Sequence, residues 1–196
     1  MGAFRLVREA FPGLSIHTST QMTVTNRYGA MMMKELGADR VVTAREMSFA
    51  EIRDIKDHVD IEIESFVHGA LCMSVSGQCG LSAVIGSRSA NRGRCAQACR
   101  LPFSAKGAKN VCTLSLKDLC LVPYLAELAQ DGVASLKIEG RCKRPEYVAA
   151  AVTALVQARA GEEPDLDTLR AVFSRSGFTD GYYTGCLLYT SDAADD

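Results

Sequence analysis

The first third of the chain alternates short apolar runs with helix-period segments, and this limits the folds open to it more than any other feature. Leu14–Thr18 is an apolar run suited to a buried strand. Thr20 can cap a helix with an apolar face of Val24, Tyr28, Met31 and Leu36, and Gly37 supplies its stop. Arg40–Ala44, with Val41 and Val42, reads as a second strand. Ser48 and Glu51 have capping-box spacing ahead of Ile52, Ile55 and Val59, and Asp60–His68 reads as a third strand. The order βαβαβ predicts parallel strands joined by helical crossovers.

Residues 69–113 break the rhythm, being rich in Gly, Ser, Cys and Arg with little periodicity. A loop of this length inside a compact domain is usually functional or disordered, and its cysteines point to function. Pro123 then suits the first turn of a helix holding Leu125 and Leu128 and ending at Gly132. Val133–Glu139 is a fourth strand. Pro145 opens a helix with Val148, Ala151, Val152 and Leu155 on one face, and Asp165 caps a last one bearing Leu166, Leu169, Val172 and Phe173. The pattern fits a (β/α) barrel or an open doubly wound sheet. Neither a Gly-x-Gly-x-x-Gly run nor a Walker-type loop is present. Predicted strand ends are polar: His17-Thr18-Ser19, Ala44-Arg45-Glu46, His68-Gly69 and Glu139-Gly140-Arg141. In a barrel, that end carries the site.

Both ends read as cut. Phe4–Ala10 looks like the tail of a helix and Pro12-Gly13 like a turn into a strand, with nothing before them to complete the unit. Cys186–Asp196, CLLYTSDAADD, resembles translated read-through of a transposase-type adapter and is expected to be a non-native tail. Without Asp192, Asp195 and Asp196 the 23 acidic residues become 20 against 22 basic ones, so a globally basic nucleic-acid binder is not indicated. Any nucleic-acid surface must be local. No export signal or membrane span is read, so a cytoplasmic protein with no membrane partner is expected. A piece of an open sheet is also expected to be poorly soluble.

Eight cysteines without an export signal favour metal ligation or reactive thiols over disulfides. Cys72, Cys79, Cys95 and Cys99 have spacing C-x6-C-x15-C-x3-C. Four thiolates suit a 4Fe-4S cluster or a structural zinc, and plain loop cysteines are the remaining reading. Arg88, Arg92, Arg94 and Arg100 lie among them, with no acid from Cys72 to Arg100. Cys112, Cys120 and Cys142 read as small, partly buried hydrophobes, with Cys120 a substitute ligand should Cys99 not bind.

The run from Glu64 to Phe103, ESFVHGALCMSVSGQCGLSAVIGSRSANRGRCAQACRLPF, resembles the signature of the collagenase-like peptidase family, peptidase family U32. SLKIEGRCKRPEYV at 135–148 and IHTSTQMTVTN at 16–26 resemble two further landmarks, and the likeness covers residues 4–185. The resemblance implies a (β/α) TIM-type barrel that is incomplete here, its first strands missing, forming one domain over 1–185 with the cysteine-rich loop at 69–113. It implies a 4Fe-4S cluster on Cys72, Cys79, Cys95 and Cys99. The family includes RNA pyrimidine hydroxylases and anaerobic ubiquinone hydroxylation proteins. The Gln-Ala-Cys-Arg run at 97–100 resembles the ribosomal-RNA hydroxylase branch, which implies prephenate as a co-substrate. Cys142, where a methionine is common, and Arg144, where a small capping residue is often seen, depart from the pattern.

The leading expectation is a cluster-dependent hydroxylase of pyrimidine bases in RNA. Arg88, Arg92, Arg94, Arg100, Arg141, Lys143 and Arg144 would bind RNA, or form a solvated face. His17, His68 and Glu139 would move protons, or be structural, with Glu139 pairing to Arg141. The electron donor is unassigned. A peptidase is the second expectation, although no His-Glu-x-x-His or Gly-x-Ser-x-Gly motif is present. A zinc-stapled RNA-binding module is the third.

Overall fold

The computed structural model describes residues 1–105, 108–141 and 143–185. Cys142, Cys186 and the rest of the expected tail lie outside the described residues. Helix α1 (Gly2–Ala10) leads into β1 (His17–Thr18), α2 (Arg27–Glu35), β2 (Arg40–Val42), α3 (Phe49–His58) and β3 (Glu62–Ala70). Then come α4 (Leu81–Gly86), β4 (Phe103–Ala105), β5 (Ala108–Val111), β6 (Asp118–Cys120), α5 (Leu125–Gln130) and β7 (Val133–Ile138). The described chain closes with α6 (Pro145–Arg159), α7 (Leu166–Val172), β8 (Phe178–Thr179) and α8 (Gly181–Thr184).

The four expected strands are β1, β2, β3 and β7, and they lie side by side in chain order, every pair parallel. β6 was not expected. It runs antiparallel to the end of β3, matching His68 to Cys120, and carries β8 on its far side. The sheet is open: among the described residues β1 pairs only with β2 and β7 only with β3. The fold is thus a mixed α/β arrangement with a mainly parallel sheet. The stretch expected as a single loop at 69–113 holds α4, several 3-10 turns and a β4–β5 hairpin.

α3 forms where its sequence signals say. Ser48 Oγ accepts from the Glu51 amide at 3.4 Å, and Glu51 Oε2 accepts from the Ser48 amide at 2.7 Å. These bonds satisfy two donors that helix geometry leaves unpaired. Ile52, Ile55 and Val59 are buried against Val41, Ile63 and Val67 in one core.

α2 corrects its expected face. Its cap is Asn26, whose Oδ1 accepts from Gly29 N at 2.9 Å, and not Thr20. Thr20–Met22 is instead a 3-10 turn that ends with Thr23 at a left-handed φ of 56°. Val24 is therefore buried ahead of the helix, and the helical phase shifts. Ala30 and Met33 face the core, while Tyr28 and Met31 are 65% and 41% exposed. α6 is rotated in the same way, burying Tyr147, Ala151 and Ala154 and leaving Val148 and Val152 39% and 45% exposed. Asp165 caps α7 as expected, its carboxylate accepting from Thr168 N at 2.9 Å, and Leu169 is buried. Leu14, expected in the first strand, lies exposed before it.

Candidate functional site

The cysteine-bearing segment leaves β3 at Gly69. This residue has φ +122°, and a Cβ there would fall 2.8 Å from Glu139 Cβ and 2.9 Å from Glu139 O. Only glycine lets the end of β3 pass so close to the end of β7. The segment is then fastened by polar contacts to the loops that follow β1 and β2. Glu46 Oε1 accepts from Ser76 N at 2.7 Å and from Ser76 Oγ at 2.8 Å. Gln78 Nε2 donates to Thr23 Oγ1, and Gln21 Nε2 donates to Asn91 O at 3.2 Å. Arg100 closes the segment at its root. Its guanidinium donates to Leu71 O at 2.7 Å, Leu116 O at 2.8 Å and Ser115 Oγ at 2.9 Å. The four cysteines thus sit over the carboxyl ends of the parallel strands, where α/β proteins carry their sites.

Cys72, Cys79 and Cys99 are half-buried and Cys95 is exposed. Burial pushes the Cys99 thiol up, Arg100 pulls it back, and the Cys72 and Cys95 sulfurs push it up again. Two sulfurs accept hydrogen bonds from the backbone two residues on: Leu81 N to Cys79 Sγ and Gln97 N to Cys95 Sγ, each at 3.3 Å. Ser82 Oγ adds a contact to Cys95 Sγ at 3.9 Å. Such bonds favour a thiolate and tune the potential of a metal held by it. Among the described residues no three His, Cys, Asp or Glu side chains are gathered closely enough to hold a metal ion. The Cys72 and Cys95 sulfurs act on Cys99, without the cysteines forming a closed ligand sphere. Cys112 is exposed, and Cys120 is buried in β6 within a second small core, its thiol pushed up by burial.

The expected proton-handling residues do not form one group. His17 is exposed on β1, level with Arg40 and Glu62, and only Ser15 Oγ approaches it, at 3.4 Å. His68 lies six residues beyond Glu62 along β3, roughly 20 Å away at the strand rise. That places His17 at the opposite end of the sheet from the cysteines. His68 is buried between Tyr147, stacked at 5.6 Å, and Phe178, edge-on at 5.2 Å. Neither ring nitrogen has a well-aligned hydrogen bond among the described residues, and burial pushes the imidazole down to about 4 against a weaker pull upward from the Leu119 backbone. His68 is therefore neutral at physiological pH. Glu139 pairs with Arg45 at 2.8 Å and accepts from the Arg141 backbone N at 3.1 Å, so its link to Arg141 is through the main chain.

The sequence alone assigned no individual role to Arg45, Asp118, Tyr147 or Arg175, although Arg45 lies in one of the polar strand ends. Arg45 stands 3.8 Å over the Phe66 ring while it binds Glu139. Asp118 is buried in contact with Arg175, and Tyr147 presses against His68. Burial pushes the Asp118 carboxyl up, and the cations Lys143 and Arg100 pull it back. Tyr147 had a signal: it follows Pro145 at an inward position of α6.

The basic residues divide. Arg88, Arg92 and Arg94 are exposed on one turn, braced by Arg88 Nε donating to Arg94 O at 3.0 Å. Arg141 joins them, since a Cβ at Gly93 would lie 3.5 Å from its guanidinium. Arg144 is exposed at the start of α6, where it provides no side-chain cap. Lys143 Nζ lies over the Phe173 ring at 3.0 Å. Arg100 is committed to carbonyl oxygens and is not presented to solvent as the others are.

A mainly parallel sheet with cysteines and an arginine turn laid over its strand ends defines the class: a mixed α/β protein whose cysteine-bearing segment covers the carboxyl edge. Residues 1–189 match the model of Peptidase family U32, and the chain belongs to that family. It is 43% identical over 158 residues to the tRNA hydroxylation protein P1 of Bacillus subtilis (strain 168), covering 74% of this chain and 37% of that protein. It is 41% identical over 143 residues to the 23S rRNA 5-hydroxycytidine C2501 synthase of Escherichia coli (strain K12), covering 70% and 22%. It is 36% identical over 203 residues to a collagenase of Porphyromonas gingivalis (strain ATCC BAA-308 / W83), covering 88% and 48%. The chain thus spans half or less of the length of these relatives. No solved structure matches it. No helix among the described residues is long and apolar enough to cross a membrane.

Proposed function

We propose that the complete protein is an RNA-modifying hydroxylase acting on a pyrimidine base, cytidine or uridine at C5. The observation that carries this reading is likeness, over 70% or more of the chain, to proteins named for hydroxylation of tRNA and of 23S rRNA. Arg88, Arg92, Arg94 and Arg141 would meet RNA phosphates, and work on RNA would place the protein in the cytoplasm. The order of β1, β2, β3 and β7, without reversal, supports a (β/α) barrel wall that other strands of the complete protein would close.

Cys72, Cys79, Cys95 and Cys99 would hold a 4Fe-4S cluster. The donor set fits: soft sulfurs, Cys72 and Cys95 acting on Cys99, two sulfurs bonded by backbone amides, in a segment free of carboxylates. A bound cluster would supply one-electron chemistry for oxygen insertion, with prephenate a candidate co-substrate. Around it, Gly69 sets the approach of β7, Arg100 fixes the segment's root, and Arg45 holds the Glu139 carboxylate at 2.8 Å.

The collagenase relative supports a second reading as a peptidase. Ser15 and His17 lie close enough to interact, yet His17 has no carboxylate to orient it among the described residues and stands far from the cysteines. Anaerobic purification of the complete protein, with iron and sulfide analysis and mass spectrometry of nucleosides from RNA of a deletion strain, separates the readings. About four irons per chain, lost in Cys72→Ala and Cys99→Ala, together with a missing hydroxylated pyrimidine, are expected. Stoichiometric zinc with unchanged RNA would sink the hydroxylase, and gelatin cleavage by the purified protein would establish the peptidase.

A further inference from the structure

Beside the cysteines lies a cleft of about 720 Å³, bounded by the 3-10 turn after β1 and by the segment from Gly77 to Asn91. Its size falls within the ~300–1,000 Å³ of small-ligand pockets. Its lining has a definite chemistry. Gln21, Gln78 and Asn91 bring three carboxamides, Met1 and Met22 thioethers, Arg88 a guanidinium, and Cys79 one of the four sulfurs, with the Met1 amino group 3.9 Å from the Met22 sulfur. No acid lines it.

The carboxamides are held by their own contacts. Gln21 spends its Nε2 on Asn91 O, and Gln78 its Nε2 on Thr23 Oγ1. Both keep a carbonyl oxygen as an acceptor, while the Asn91 carboxamide makes no hydrogen bond among the described residues. A carboxamide pairs a donor with an acceptor, as does the edge of a nucleobase. A thioether packs well on an aromatic face. A site for a cationic ligand would carry acid, and none lines this cleft, while its three carboxamides exceed what a bare anion needs. A neutral, polar, ring-sized ligand with one phosphate at the rim suits this lining best.

We infer that this cleft receives one unpaired base of single-stranded RNA, read by Asn91, Gln21 and Gln78, with its phosphate on Arg88. The inference rests on the hydroxylase reading and adds to it where the base enters. The rim residue Arg88 belongs to the arginine turn, so the strand's backbone runs from Arg92 and Arg94 toward the cleft. A base lodged there lies beside Cys79, the one of the four cysteines that lines the cleft.

The test uses the complete protein, purified anaerobically, with oligo(C), oligo(U) and oligo(A) RNAs of equal length, titrated by fluorescence anisotropy at several salt concentrations. The unaltered protein is expected to prefer one pyrimidine oligomer over oligo(A) by about tenfold, the discrimination a paired edge contact gives. Asn91→Ala and Gln21→Leu should each bring that preference below about threefold while the salt dependence stays unchanged. Arg92→Ala should do the reverse, weakening all three oligomers evenly and flattening the salt slope. A preference that survives both Asn91→Ala and Gln21→Leu overturns the cleft and leaves RNA binding intact. Equal affinity of the unaltered protein for all three oligomers also overturns it. Failure of the complete protein to bind any of them overturns the RNA reading itself, and the cleft with it.

Discussion

From β1 to β3 the chain buries Val24, Met33, Val41, Val42, Met47, Ile52, Ile55, Ile63 and Val67 in one core. From Leu71 to Arg100, a stretch of thirty residues by the numbering, it buries only Leu71, Ser76, Ser82 and Ala98, and leaves Val75, Val84 and Ile85 exposed. The first region is held by apolar area and helix caps. The second is held by Glu46, Arg100 and a few side-chain amides. Elements with few buried contacts open at low free energy, and sites that must admit a substrate are drawn from that end of the range. The contrast places rigidity under the strands and adaptability over their ends.

The largest effect is expected at the core. Ile52→Ala removes a fully buried side chain from α3 and should lower global stability by about 4 kcal/mol. Urea unfolding of the complete protein checks this, and a loss below about 1 kcal/mol would mean that the core carries less of the fold than its burial implies.

The seam between the two regions is sensitive to acid. His68 has its folded pKa depressed from 6.5 to about 4, so protons bind the unfolded chain more readily. Its contribution is complete above pH 6.5 and is lost as pH falls toward 4, about 3 kcal/mol across that window. His68→Phe keeps the stacking with Tyr147 and removes the titration. Melting temperatures measured between pH 7 and pH 4 should therefore fall less steeply in the variant, and parallel curves would refute the assignment.

The smallest global effect is expected at the cysteine segment. Arg100→Ala deletes three hydrogen bonds from a charged group, worth about 2 kcal/mol locally. Limited proteolysis should cut between Cys72 and Cys99 much faster, while the main unfolding transition barely moves. A matched fall in both would show that the two regions unfold as one.

The parts that were legible in the sequence are those whose signals are local. The Ser48/Glu51 box, the Asp165 cap and the strand runs at Arg40–Val42 and Val133–Ile138 need only their neighbours in the chain. Helix phase was less legible. At α2 the left-handed Thr23 takes Val24 off the helix and turns Tyr28 outward. β6 and β8 are three and two residues long, and their pairing is set by distant partners. The contact of Asp118 with Arg175, and of His68 with Tyr147, spans stretches of chain that no period links. Cysteine spacing named candidate ligands, and in the fold the Cys72 and Cys95 sulfurs act on the Cys99 thiol. Arg100 looked like its neighbours on paper, and only the fold turns it to the carbonyls of Leu71 and Leu116.

Because one guanidinium grips Leu71 and Leu116 together, the segment enters and leaves the sheet through a single pinned neck. What lies beyond a pinned neck can change length without moving the strands, and each doubling of such a loop adds only about 0.6 kcal/mol of closure entropy. The scaffold can therefore stay fixed while the segment laid over the strand ends is lengthened, shortened or rewritten, a route by which one framework comes to carry different surfaces.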